Sequence, residues 1–100
     1  MPLTATNEQI EAIRQQTVFA YRGLAGRNGG GLSAEHRMRA DFRSHYEALL
    51  AGYQVAYTVY SYQTPIGWVL IDGTAEVPEI FYSRTTTRHQ NIARKAFGLL

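Results

Sequence analysis

Seven tyrosines, ten cationic side chains and three histidines are the groups in this chain best equipped for chemistry. His36 and His45 stand nine residues apart on one expected helix, half a turn out of phase, so they cannot chelate one ion together. There is no cysteine, hence no disulfide framework and no thiolate metal site. His45 follows Asp41 by four on the same stripe, which predicts a core imidazole hydrogen-bonded to that carboxylate. A His-Asp pair without a nucleophile is half a triad. No Gly-x-Ser-x-Gly elbow, zinc-type spacing or pair of convergent carboxylates occurs. The expectation is a protein that is not an enzyme, with no catalytic residue, metal or cofactor.

Binding chemistry is more legible. The stretch SRTTTRHQNIARKA, residues 83–96, puts three threonines and four cations at the start of an expected helix. On that helix His89, Ile92, Ala93, Ala96 and Leu100 share the inner side. Arg88, Asn91 and Lys95 lie on the other, with Arg94 beside them and Arg84 just before. Such a stripe suits phosphates or a major groove, and the threonines add hydroxyls and free backbone N–H groups at a helix start. The competing reading is a tight turn with a Thr87–Gln90 capping box and a solvated cationic face. Tyr53, Tyr57, Tyr60 and Tyr62 crowd one expected strand, and aromatics on an open sheet face can stack unpaired bases. However, residues 51–83 hold no Lys or Arg and three acids, the wrong field for nucleic acid. The tyrosines are therefore expected in a core or a subunit contact.

The bulk numbers frame these choices. One hundred residues, 45% hydrophobic and 18% charged, predict one globular domain. Net charge is +2, with Arg84, Arg88, Arg94 and Lys95 unopposed by any acid after residue 83. Nine of the ten cations are arginine, suited to bidentate contact with phosphate or carboxylate. No apolar run is long enough for a membrane span and the first residues lack a basic-then-apolar leader, so a cytoplasmic, non-membrane protein is expected.

The elements that must position these groups follow from periodicity. Ile10, Ile13, Thr17, Ala20, Tyr21 and Leu24 share one face of a first helix, with Phe19 opposite as a possible second contact surface. Glycines in residues 23–31 predict a flexible linker. Ser33 caps a second helix with Ala34, Met38, Phe42, His45 and Leu49 inward, and Gly52 stops it. Its outer face pairs Glu35 with Arg39, Arg37 with Asp41 and Arg43 with Glu47. Tyr53, Val55, Tyr57 and Val59 then alternate along one face of a strand. GWVLI-DG-TAEVP predicts a hairpin on an Asp72-Gly73 turn, setting Trp68 opposite Val77 and Leu70 opposite Ala75, with Pro78 ending the pairing. The last helix runs from Arg88 to Leu100. The expected fold is α+β: two N-terminal helices, a three-stranded antiparallel meander and a C-terminal helix, with helices covering one sheet face.

Two segments, SYQTPIGW (61–68) and VPEIFYSRTTTRHQNIARKAFG (77–98), resemble a family of small uncharacterised actinobacteriophage proteins with relatives in actinobacterial genomes. The shared pattern is S-Y-x-T-P-I-x-W, a hairpin, then Y-S-x-T-T-x-R-H-Q and a basic helix. Its first part matches Ser61, Tyr62, Thr64, Pro65, Ile66 and Trp68. Its second part matches Tyr82, Ser83, Thr85, Thr86, Arg88, His89 and Gln90. The resemblance implies a phage accessory protein working in the host cytoplasm and no residue roles. Tyr62, Pro65, Trp68, Thr87, His89 and Gln90 are expected to be structural. The candidate binding residues are Arg84, Arg88, Asn91, Arg94 and Lys95. The expected action is binding of a host macromolecule by a homodimer: a host protein first, DNA through the C-terminal helix second, a purely structural domain or a small hydrolase last.

Overall fold

The computed structural model describes residues 6–99. Three helices and five strands follow in the order α1 (Thr6–Arg14), β1 (Phe19–Tyr21), β2 (Leu24–Asn28), α2 (Ala40–Ala51), β3 (Val55–Ser61), β4 (Thr64–Leu70), β5 (Ala75–Glu76) and α3 (Arg84–Ala96). The strands form one antiparallel sheet in sequence order. The class is α+β, as expected, but the sheet has five strands instead of three, and helices cover both of its faces. On one face α1 and α3 pack Ile10, Ile13, Ile92 and Ala93 against Leu24, Tyr57, Val59, Ile66 and Val69. On the other, α2 brings Tyr46, with Met38, against Trp68.

The first helix is shorter than its periodicity implies. Gln16 turns into the left-handed region (φ 52°), Gln16 N–H donates to the Ile13 carbonyl (2.9 Å) and Thr17 N–H to that of Ala12 (2.8 Å). This is a Schellman closure, for which glycine is the usual signal, and here the residue is glutamine. Thr17, Ala20, Tyr21 and Leu24 fit a helical stripe by coincidence. The last three belong to a hairpin whose two-residue turn, Arg22-Gly23, has both φ values positive (51° and 83°). Phe19 is thus no second surface; it is half-buried against the α1–α3 core.

The expected linker at 23–31 is also corrected, since most of it is β2. Its glycines serve space more than flexibility. A Cβ on Gly26 would strike the Tyr57 hydroxyl and ring, and one on Gly30 would strike Tyr46 and Thr58. Tyr57 OH donates to the Thr17 carbonyl (2.7 Å), and Tyr46 OH bonds Thr58 Oγ1 (2.8 Å). Burial pushes both phenols upward in pKa.

The second helix starts at Ala40, after an extended Arg39, not at Ser33. Of its expected surface pairs, Arg43–Glu47 is an ion pair (3.5 Å), whereas Asp41 takes Arg39 (2.9 Å). The strand that follows does not keep one face, because a register shift between Val55 and Tyr57 sends Val55 toward α2 and Tyr57 toward α1 and α3. The last hairpin is slipped by one residue from expectation: Trp68 faces Glu76 and Val69 faces Ala75. Three residues, Ile71 to Gly73, form the loop, with Gly73 at φ 91° and Thr74 N–H on Asp72 Oδ1 (2.9 Å). A one-residue slip reverses which partners share a face. It brings Glu76 beside His45, whose Nε2 lies 2.9 Å from Glu76 Oε2. The expected His45–Asp41 bond is replaced by this half-exposed pair.

The cap of α3 is Ser83, whose Oγ accepts Thr86 N–H at 3.1 Å, so the helix begins four residues before the expected start. It closes at Gly98 (φ 75°). Leu100, expected on its inner side, lies outside the described residues.

Candidate functional site

The cationic stripe of α3 is split by its surroundings. Arg84, Arg88, Asn91 and Lys95 line a groove of about 420 Å³ against Thr6, Asn7 and Ile10 of α1, with no carboxylate in its walls among the described residues. Arg94 leaves that group. It donates to Asn91 Oδ1 (3.2 Å) and to the Pro78 carbonyl (3.4 Å), on the side of the helix that faces the chain after β5. Asn91 is thereby partly engaged by Arg94.

Each of the six motif residues has a definite place. Trp68 is fully buried, its ring 4.6 Å from that of Tyr46, and its indole N–H lacks a partner among the described residues. Pro65 is buried in β4 opposite Tyr60, where the ladder shifts register, which accommodates its missing N–H. Thr87 lies inside α3 and donates to the Ser83 carbonyl (2.9 Å), so it is not the cap. Gln90, buried, donates to the carbonyl of Ile80 (2.9 Å), pinning the segment between sheet and helix. Tyr62 and His89 meet, ring centroids 5.7 Å apart. His89 is buried, and that burial, with a smaller contribution from Arg88, holds its pKa below the usual imidazole value.

Two sites emerge that residue spacing does not disclose. The first is an open basin of about 850 Å³ on the outer part of the sheet, beside the area covered by α2. Its small residues include Ala20, Ala25 and Gly30, and its larger ones Arg22, Arg27 and Tyr60. Antiparallel pairing of β2 with β3 sets Ala25 opposite Tyr60 and Arg27 opposite Thr58, which is how cations reach a tyrosine-rich strand that has none. The Arg27 guanidinium lies 5.8 Å from the centre of the Tyr60 ring, and that of Arg22 lies 5.2 Å from Tyr21. Neither arginine forms an ion pair among the described residues, and no acid lines the basin. Gly31 N–H donates to Tyr46 OH (3.2 Å) and Thr58 Oγ1 to the Gly29 carbonyl (2.8 Å), so one wall is fixed by the core. Ser33, also in the wall, has a buried hydroxyl with no partner among the described residues. A sequence signal for this basin exists only in hindsight: Arg-Gly between FAY and LAG is a two-residue turn pattern.

The second is a cavity of about 410 Å³ where the end of β3 meets the first turn of α3. Ser61 Oγ is 2.7 Å from His89 Nδ1 and 3.2 Å from Thr86 Oγ1. Ser83 Oγ donates to Thr86 Oγ1 at 3.2 Å. Thr64 Oγ1 accepts Arg37 N–H (2.9 Å) on the same wall. Tyr62 borders both sites. It and Gln63 form the β3–β4 turn, each with positive φ (47° and 74°), a region costly for residues bearing a Cβ.

Among the described residues, no group of three or more His, Asp or Glu side chains is placed to hold a metal ion, and no helix is long and apolar enough to cross a membrane. Comparison with curated proteins and with solved structures finds no match. Residues 4–98 do match the model of a family of unknown function, DUF8033, and the chain belongs to that family.

Proposed function

We propose that the protein binds single-stranded nucleic acid, with the basin of Arg22, Arg27 and Tyr60 as its contact surface. One observation carries the reading: two arginines without carboxylate partners lie over tyrosine rings in a concave, acid-free surface. Single-strand binding combines a positive groove that follows phosphates with aromatic rings on which bases stack. The α1–α3 groove, with Arg84, Arg88 and Lys95, supplies a second phosphate contact on the opposite face of the sheet. The resemblance to actinobacteriophage proteins supports an accessory role in the host cytoplasm.

The test is fluorescence anisotropy with labelled oligo-dT and oligo-U at low salt. Tyr60→Ala should weaken binding by about 1–3 kcal/mol if bases stack there. Arg22→Gln with Arg27→Gln should weaken it as well. Arg88→Gln with Lys95→Gln should weaken it less, the reverse of what a C-terminal DNA-binding helix requires. Absence of binding at low salt, or full binding by the Arg22/Arg27 variant, would sink the basin as the contact surface.

A protein partner or a second copy of this chain is the competing reading, favoured by Tyr53 and Ile71, which are 88% and 64% exposed. They are brought together by the Ile71 N–H bond to the Gln54 carbonyl (2.9 Å). A monomer mass by light scattering at high concentration would remove the homodimer. Capture from actinobacterial lysate with and without nuclease separates the two partner classes.

A further inference from the structure

We propose that Ser61 is a nucleophile activated by His89, and that the cavity between β3 and α3 accepts a small carboxylic ester for acyl transfer. Several features of the cluster support this, and only Tyr62 and Gln63 among them also border the nucleic-acid surface. Ser61 Oγ and His89 Nδ1 are 2.7 Å apart, the spacing of a nucleophile and its general base. Ser83 accepts Thr86 N–H and donates to Thr86 Oγ1. That leaves the Thr86 proton for Ser61 Oγ and the Ser61 proton for His89 Nδ1, a chain running in one direction toward the imidazole. Burial keeps the imidazole neutral and able to accept. Ser61, itself buried at 2% exposure, is also the last residue before the Tyr62-Gln63 turn, whose two positive φ values concentrate backbone strain beside it. Finally, Ser61 and Thr86 line a cavity whose other walls include Arg37, Thr64 and Tyr82.

The step balances. Ser61 Oγ adds to the ester carbonyl carbon as its proton passes to His89 Nδ1, and the negative charge forms on the former carbonyl oxygen, inside a cavity whose lining includes Arg37. Collapse breaks the bond to the leaving alcohol, which takes the proton from His89. Water then repeats the sequence on the acyl-serine, releasing the acid and restoring Ser61.

The test uses the full chain with p-nitrophenyl acetate, followed by release of p-nitrophenol and by mass spectrometric mapping of the acetyl adduct. The expected result is a stoichiometric burst with the adduct on Ser61. Ser61→Ala should abolish that burst, and His89→Gln, which keeps a hydrogen-bonding side chain, should slow it by roughly 100-fold or more. Folding of each variant is checked by circular dichroism. Acetylation confined to Lys95 or the N-terminus overturns the proposal, as does an unchanged burst in folded Ser61→Ala. Should both variants unfold, mapping of the wild-type adduct decides alone: an adduct on Ser61 supports the assignment, and none, with both this ester and a fluorophosphonate, overturns it.

Discussion

Tyr62 and His89 show how single side chains divide between stability and function. Tyr62, a residue 59% exposed, sits in the left-handed region, where asparagine or glycine would normally stand in a two-residue hairpin turn. Little core packing holds it there, so Tyr62→Asn should raise stability by about 1 kcal/mol in urea titration. The same change should weaken oligonucleotide binding, since the ring borders the basin. Gain of stability without loss of binding would show that the tyrosine has no part in the surface. For His89 the sign of the pH effect follows from its depressed folded pKa. The folded and unfolded states are both neutral there above about pH 6.5. As pH falls below that value the unfolded chain binds the proton first, so stability drops until the folded pKa is reached. His89→Gln should flatten that part of the stability–pH curve, measured by thermal unfolding between pH 7 and 5.

At the scale of elements, helix ends and glycines carry the testable content. Ser83 caps α3 and Thr87 does not, so Ser83→Ala should cost about 1 kcal/mol. Thr87→Ala, which removes one exposed bond to the Ser83 carbonyl, should cost less. Equal losses would restore the later cap. In β2, Gly26 leaves room for Tyr57, so Gly26→Ala should destabilise by about 1–3 kcal/mol through overpacking. A flexible linker would tolerate that change, or gain from it. The N-terminal half was hard to read for a specific reason. Gln16 and Tyr53 take the left-handed helix-closing positions where glycine is the usual marker, and Gly52 precedes such a position without occupying it. Without a stop signal, α1 could be extended on paper through Leu24. The hairpin β1–β2 then vanished into a helix and a linker.

At the scale of the whole molecule, the arrangement of charge decides which surface meets a partner. Arg14, Arg39 and Arg43 are held by carboxylates, while among the described residues Arg22 and Arg27 meet tyrosine rings and no carboxylate. If two phosphates are neutralised in the basin, the Arg22→Gln, Arg27→Gln variant should reduce the slope of log K against log salt by about 1.4. An unchanged slope would mean that these arginines meet no phosphate.

The amino-acid sequence by itself determined the α+β class, the existence of α2, the central strands and the amphipathic α3 with His89 inward. These rest on local signals, periodicity and composition, that need no knowledge of neighbours. It also marked the cationic stripe of α3, though not that Arg94 would be drawn off to the Pro78 carbonyl. Both candidate sites belong to the tertiary structure alone. The basin needs β2 paired to β3 in one register, joining Arg27 to Tyr60, more than thirty residues away, while Arg22 meets its neighbour Tyr21. The Ser61–His89 pair needs α3 packed across the end of β3, a separation of 28 residues. Side-chain chemistry is written in residue types, but which types meet is set by strand register and helix docking, and those are decided by burial of the whole core.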